Sequence, residues 1–204
     1  MPAPTWSQWR ILAASPAVGL PAHTVRERQL ATLAAYASGN NPDGSNKSGA
    51  VTNLLTPEQS SFEAGTTGGW TASNSTIANS TAQAYDGTHS LAVTAIGGDG
   101  GTFLSIPSMA AAGLFPQYTY NVTAWVRPNT TTRPVFIFIR YYDASNAILT
   151  TTSSSTVTET ASWFQYTVTA PAPATAVRML CQVYISAMAA AEVHYIDFVS
   201  LGTV

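Results

Sequence analysis

The sequence predicts an all-β fold, an antiparallel β-sandwich of the jelly-roll type, preceded by an N-terminal arm with one short α-helix. Three observations predict it. From residue 53 onward, short apolar or alternating runs recur between turn residues at even spacing. Several of those runs alternate with period two, the mark of a strand with one face in a core and one outside. The charge is too sparse for other classes: charged residues make up 9% of the chain, the formal net charge is −2 and Lys47 is the sole lysine, so no basic stripe is present to meet nucleic acid.

The elements follow in order. Residues 1–50 are expected to be an anchoring region. "PAPTWSQWRIL" carries Trp6, Trp9, Ile11 and Leu12 without a regular element to bury them. In "HTVRERQLATLAAYASG", Thr24 and Glu27 form a capping box, Leu30 and Leu33 repeat at helical spacing and Gly39 supplies a stop, which predicts a helix over about 25–38. A helix this short is marginal alone. Arm and helix therefore either fold back on the main domain or dock on another protein, and an adhesive leader with two tryptophans favours docking through Trp6, Trp9, Ile11, Leu12, Leu30 and Leu33. "SGNNPDGSNKSGAVTN" reads as a linker, which places the boundary near residue 50 and gives residues 51–204 to the β domain.

Within that domain, strands are predicted at 90–95, 118–128, 135–143, 163–170, 176–185 and 193–201. A short helix fits "SMAAAGL" (108–114), residues 150–160 read equally as a loop or an edge strand, and the glycines of "GGDGG" (97–101) read as a flexible turn. No helix or Lys-Ser/Thr follows them, as a phosphate cradle would need. Cys181 in "VRMLCQVYI" is expected in the core, being the single cysteine of the chain, and the three histidines have no zinc spacing. No secretory signal and no membrane span is legible. Asn-x-Ser/Thr triplets at Asn74, Asn79 and Asn121 are what chance supplies in a chain so rich in serine and threonine.

Parity divides the 118–127 strand. Tyr118, Tyr120, Val122, Ala124 and Val126 belong inside; Asn121, Thr123, Trp125 and Arg127 point the other way. The following strands extend this second set with Arg140 and Tyr142, and with Arg178, Gln182 and Tyr184. Aromatic rings beside amide and guanidinium donors suit sugars. The competing reading puts Trp125 and Phe138 under a long loop as a second small core, and treats Trp70 and Trp163 as structural. No pair of carboxylates, no nucleophile elbow and no partner for His89 or His194 points to catalysis, so no enzyme is expected.

"NLLTPEQSSFEAGTTGGW", "AYDGTHSLAVTA", "WFQYTVTAPAPATAVRMLCQV" and "VHYIDFVSL" together resemble the β-jelly-roll carbohydrate-binding modules appended to xylanases and cellulases, over residues 53–201. The resemblance implies a structural calcium held by a first-strand glutamate and a last-strand aspartate with backbone oxygens from a turn: here Glu63, Asp197 and the turn Asp86–His89. It would also explain why Asp197 sits within an apolar strand, since an unpaired buried carboxylate is costly. "NLLTPEQSSFEAGTTGGW" and "STAQAYDGTHSLAVTA" further resemble segments of minor tail proteins of phages that infect actinobacteria. With the leader, that implies a virion protein on the tail rather than the capsid surface, present in symmetric copies, partnered by other virion proteins and touching cell-surface polysaccharide. The alternatives are a capsid decoration or head fibre protein, and a carbohydrate-binding module serving a polysaccharide hydrolase.

Overall fold

The computed structural model describes residues 53–204. The expected helix at 25–38 and the docking residues Trp6, Trp9, Ile11, Leu12, Leu30 and Leu33 lie outside the described residues. One helix, α1 (Pro57–Ser61), precedes eleven strands: β1 (Thr71–Ser73), β2 (Ser75–Ser80), β3 (Ser90–Ala95), β4 (Gly98–Ile106), β5 (Thr119–Pro128), β6 (Pro134–Tyr142), β7 (Ile148–Ser153), β8 (Val157–Thr158), β9 (Phe164–Pro171), β10 (Arg178–Met188) and β11 (Val193–Thr203).

They form two antiparallel sheets. One runs β2-β3-β11-β5-β9; the other runs β1-β4-β10-β6-β7, with β8 also paired to β6. The inner faces meet in one core, where Leu91, Val93, Ala124, Val126, Ile137, Ile139, Val183, Ile185 and Ile196 are fully or almost fully buried. β5 alternates through its whole length, with Tyr120, Val122, Ala124 and Val126 buried as parity predicts. Cys181 lies in this core, where burial pushes its thiol up to about 12.

Opening and closing segments lie side by side. The Leu54 amide donates to the Leu201 carbonyl at 2.7 Å. The Asn53 side chain accepts from the Leu201 amide at 3.0 Å and donates to the Val199 carbonyl at 2.9 Å, serving backbone groups of β11 beyond its pairing with β3, which covers Val193 to Ile196.

Four expectations need correction or completion. Residues 108–114 form consecutive turns rather than a helix, closed by Gly113 at φ 72°. The helix among the described residues, α1, was legible in "TPEQ": Thr56 caps it, Gln59 completes the capping box and Pro57 stands at the first helical position. Residues 97–101 are not a flexible turn, because Gly98–Ile106 is a strand. Its glycines answer close backbone approach: at Gly101, with φ 142°, a Cβ would lie 2.1 Å from the Val183 carbonyl oxygen. Residues 150–160 are mostly edge strand, β7 and β8. Among the described residues no helix is long and apolar enough to cross a membrane.

Candidate functional site

The seven residues expected to share one ligand face do not share it. Asn121, Trp125 and Arg127 stand on β5, in the five-stranded sheet, whereas Arg140, Tyr142, Gln182 and Tyr184 stand on β6 and β10, in the other. Sequence neighbours usually pair, but the chain here crosses the sandwich between β5 and β6. The outward side chains of the two strands therefore face opposite ways.

On the five-stranded sheet the outer residues are spent on structure. The β2–β3 connection lies over this face, and Tyr85 stacks on Trp125 with ring centroids 3.9 Å apart and planes 14° from parallel. Trp163 meets the Tyr85 edge at 6.0 Å. Arg127 donates to the Gln83 side-chain oxygen at 2.8 Å, and Asn121 to the Thr169 hydroxyl at 2.9 Å. Trp125 thus belongs to a second small core under a loop, the competing reading of the sequence. Trp70 is structural too: it is buried and its indole N–H donates to the Gln59 carbonyl at 2.9 Å.

The same connection answers the question of Asp197. This carboxylate is fully buried, and it accepts from the Tyr85 amide at 2.7 Å, the Asp86 amide at 3.1 Å and the Phe198 amide at 2.6 Å. Burial outweighs these donors and, with the nearby negative charge of Glu63, holds its pKa above the usual carboxylate range. Glu63 lies in the loop after α1 rather than in a first strand, and takes the rest of the turn. It accepts from the His89 amide at 2.8 Å, the Thr88 amide at 3.0 Å and the Thr88 hydroxyl at 2.9 Å, donors that lower its pKa to about 2. Gly87, at φ 66°, makes room, since a Cβ there would meet Glu63 Oε1 at 2.5 Å.

These contacts test the calcium expectation. Calcium takes oxygen ligands. The turn offers N–H and O–H donors instead to both oxygens of Glu63 and to Asp197 Oδ2, while Asp197 Oδ1 accepts from the Phe198 amide. Asp86 contributes its amide. Among the described residues no three His, Cys, Asp or Glu side chains gather closely enough to hold a metal ion. The set suits a pair of anions clasping a turn.

The outer face of the six-stranded sheet is different in kind. β6 is apolar on both sides: Val135, Ile137, Ile139 and Tyr141 face the core, while Phe136, Phe138 and Tyr142 face out and join Phe103, Leu180 and Tyr184 in a separate apolar cluster. Register orders them in rows. Gln182 stands between Phe103 and Phe138, and Tyr184 stands opposite Phe136 with ring centroids 4.7 Å apart. Arg178 lies over the Tyr142 ring at 3.8 Å and Arg140 over the Phe138 ring at 4.9 Å. At one end the Tyr184 phenol bonds Asp99, which with burial raises the phenol's pKa.

Donors remain unspent here. The Gln182 side chain makes no hydrogen bond to any described residue. Arg140 uses only Nε, on the Thr151 hydroxyl at 2.9 Å. Half-buried rings such as Phe103, Phe136 and Tyr184 can stack on the C–H face of a pyranose while the free amide bonds its hydroxyls. Phe103 and Phe136 were not foreseen as site residues; the signal was the unbroken apolar run "VFIFI", where a strand with a solvated face should alternate. A recess of about 280 Å³ beside α1, lined by Leu54, Leu55, Ile106 and Leu114 among others, carries no titratable group.

Comparison with known proteins gives the family and the fold. Residues 57–186 match the family model described as a carbohydrate binding domain. No curated protein matches the chain in sequence. Among solved structures, the CBM22-1 xylan-binding domain of Paenibacillus barcinonensis Xyn10C is similar at 19% identity and a TM-score of 0.61, over 76% of this chain and 96% of that one. The C-terminal family 22 carbohydrate binding module of Clostridium thermocellum Xyn10B is similar at 20% identity and a TM-score of 0.58, over 71% of this chain and 91% of that one. The enzymatically active domain of bacteriophage CBA120 tailspike protein 4 is similar at 14% identity and a TM-score of 0.58, over 74% of this chain but 21% of that one. At these identities the structures speak for the fold, and the family match covers more than half of the chain: it belongs to the carbohydrate-binding domain family.

Proposed function

We propose that the outer face of the six-stranded sheet is a polysaccharide-binding surface, and that the module acts by binding alone. The observation that carries this is the Gln182 amide, unspent between the half-buried Phe103 and the buried Phe138, on a face where Phe136 and Tyr184 are half-buried too. A donor left free at such a place costs little while water reaches it and gains a partner when a sugar ring replaces that water. Binding of the full chain to a panel of immobilised polysaccharides tests the reading. Gln182→Ala should abolish retention on whichever polymer binds, and Trp125→Ala should not.

The module's setting is proposed to be a phage particle, as a minor tail protein whose residues 1–50 attach to other virion proteins in symmetric copies while the sandwich reaches host-surface glycans. The sequence likeness to minor tail proteins supports it, and so does the shared fold with a phage tailspike domain. Deleting residues 1–50 should then remove the protein from particles. A capsid decoration role would place it on heads in the same assay. The xylan-binding domains among the similar structures favour a second reading, a module serving a polysaccharide hydrolase; there the deletion leaves both sugar binding and function intact. For the turn at residues 85–89 we propose a clasp of two carboxylates on N–H donors in place of calcium.

A further inference from the structure

We infer that the ligand of the six-stranded face is an acidic polysaccharide, a polymer of uronic-acid residues whose carboxylates meet Arg140 and Arg178. The inference rests on the binding face proposed above and names its ligand class. The described residues contain four arginines and no lysine. Arg133 pairs with Glu192, and Arg127 is held by Gln83 on the opposite face. The other two, Arg140 and Arg178, stand together on the aromatic face, because Arg178 faces Tyr142 and Leu180 faces Arg140 across the β6–β10 ladder. Such diagonal neighbours have Cα atoms about 7–8 Å apart.

Neither arginine pairs with a carboxylate. The ion pairs among the described residues involve Arg133, His89 and His194. The acidic groups near this face are committed elsewhere: Asp143 accepts from the Ser145 and Ala147 amides of its own turn, and Asp99 bonds Tyr184 and the Ala187 amide at the far end. In a chain with net charge −2, this face holds two of the sandwich's four cations with no carboxylate paired to either. Arg178 is anchored on Asn146 at 3.0 Å, and Arg140 keeps both terminal nitrogens without a partner among the described residues.

The ring contacts place this charge. The guanidiniums lie 4.9 Å from the Phe138 centroid and 3.8 Å from the Tyr142 centroid, against the aromatic face, and a guanidinium fork can hold a carboxylate by two N–H groups at once. A pyranose stacked on the neighbouring rings holds the carboxylate at its C5 near its own plane, so the anion arrives at the guanidinium edge. A neutral xylose has nothing at that position.

Calorimetric titration of the full chain tests this with three probes: an oligogalacturonate, a xylo-oligosaccharide of equal length and a poly(glycerol phosphate). The oligogalacturonate should bind at least tenfold more tightly than the xylo-oligosaccharide, and less so at high salt. Arg140→Gln should weaken oligogalacturonate binding at least tenfold and bring it to the level of the xylo-oligosaccharide, with Arg140→Lys in between. Equal affinity for acidic and neutral sugars in the parent, or an unchanged preference for oligogalacturonate in Arg140→Gln, overturns the acidic ligand while leaving the binding face standing. Tighter binding of the glycerol phosphate polymer overturns the carboxylate. Silence towards all three, with a folded protein by circular dichroism, overturns the face and the inference together.

Discussion

The two outer faces of the sandwich carry similar residues in different states. On the five-stranded sheet every notable side chain has an intramolecular partner: Trp125 has Tyr85, Arg127 has Gln83 and Asp197 has three amides. On the six-stranded sheet the Phe103, Phe136 and Tyr184 rings are half covered, Gln182 has no partner among the described residues and Arg140 has both terminal nitrogens to offer. Aromatic and polar residues do not by themselves identify a binding face. What identifies it is whether the fold has already used their hydrogen bonds and ring faces, since a satisfied group gains nothing further from a ligand.

Mutations should separate the faces, most strongly at the clasp. Asp197→Ala would leave the Tyr85, Asp86 and Phe198 amides unpaired and cost about 3 kcal/mol of stability in chemical denaturation. Trp125→Ala should cost about 2 kcal/mol, discounted from a full core deletion because the ring is half-buried, without change in affinity. Gln182→Ala should do the reverse, with about a tenfold loss of affinity, or ~1.4 kcal/mol, and stability within ~0.5 kcal/mol of the parent. A loss of sugar binding in Trp125→Ala at unchanged stability would reverse the assignment of the faces.

Acid should probe the clasp more gently. The Glu63 pKa is depressed to about 2 from an ordinary 4.5, so its contribution is present above pH 4.5 and is lost as pH falls towards 2. Asp197, raised from 3.8, works the other way: the folded protein takes up its proton first, which offsets part of that loss. Thermal midpoints of the parent should therefore fall more steeply over this window than those of Glu63→Gln. The smallest expected effect is that of calcium. Calorimetric melts with chelator and with millimolar calcium should coincide, whereas a bound ion at a thousandfold excess over Kd would add about 4 kcal/mol.

Much of the fold was legible in single segments. Period-two alternation placed β5 and its buried set, and the apolar closing run placed β11. Short elements escaped: β1 has three residues and depends on its pairing with β4 rather than on its own composition. At the site, Arg140, Tyr142, Gln182 and Tyr184 were legible from parity, but Phe103 was not, because it reaches the face only through the β4–β10 ladder. Asp197 was recognised as needing a partner; that the partners are amides of a turn more than a hundred residues away in sequence could not be read.

By itself the sequence determined six of the eleven strands, β3, β5, β6, β9, β10 and β11, the buried side of β5, and, through its motifs, the likeness to this family. These properties are local, set by the two-residue period of the pleat and by apolar burial. Only the tertiary structure decided which sheet each strand joined, and so which outward residues share a face. Strand pairing is a contact between segments distant in the chain, and a connection that crosses the sandwich leaves no mark in local periodicity. That crossing, between β5 and β6, separated Trp125 from Arg140 and turned one imagined site into a covered face and an open one.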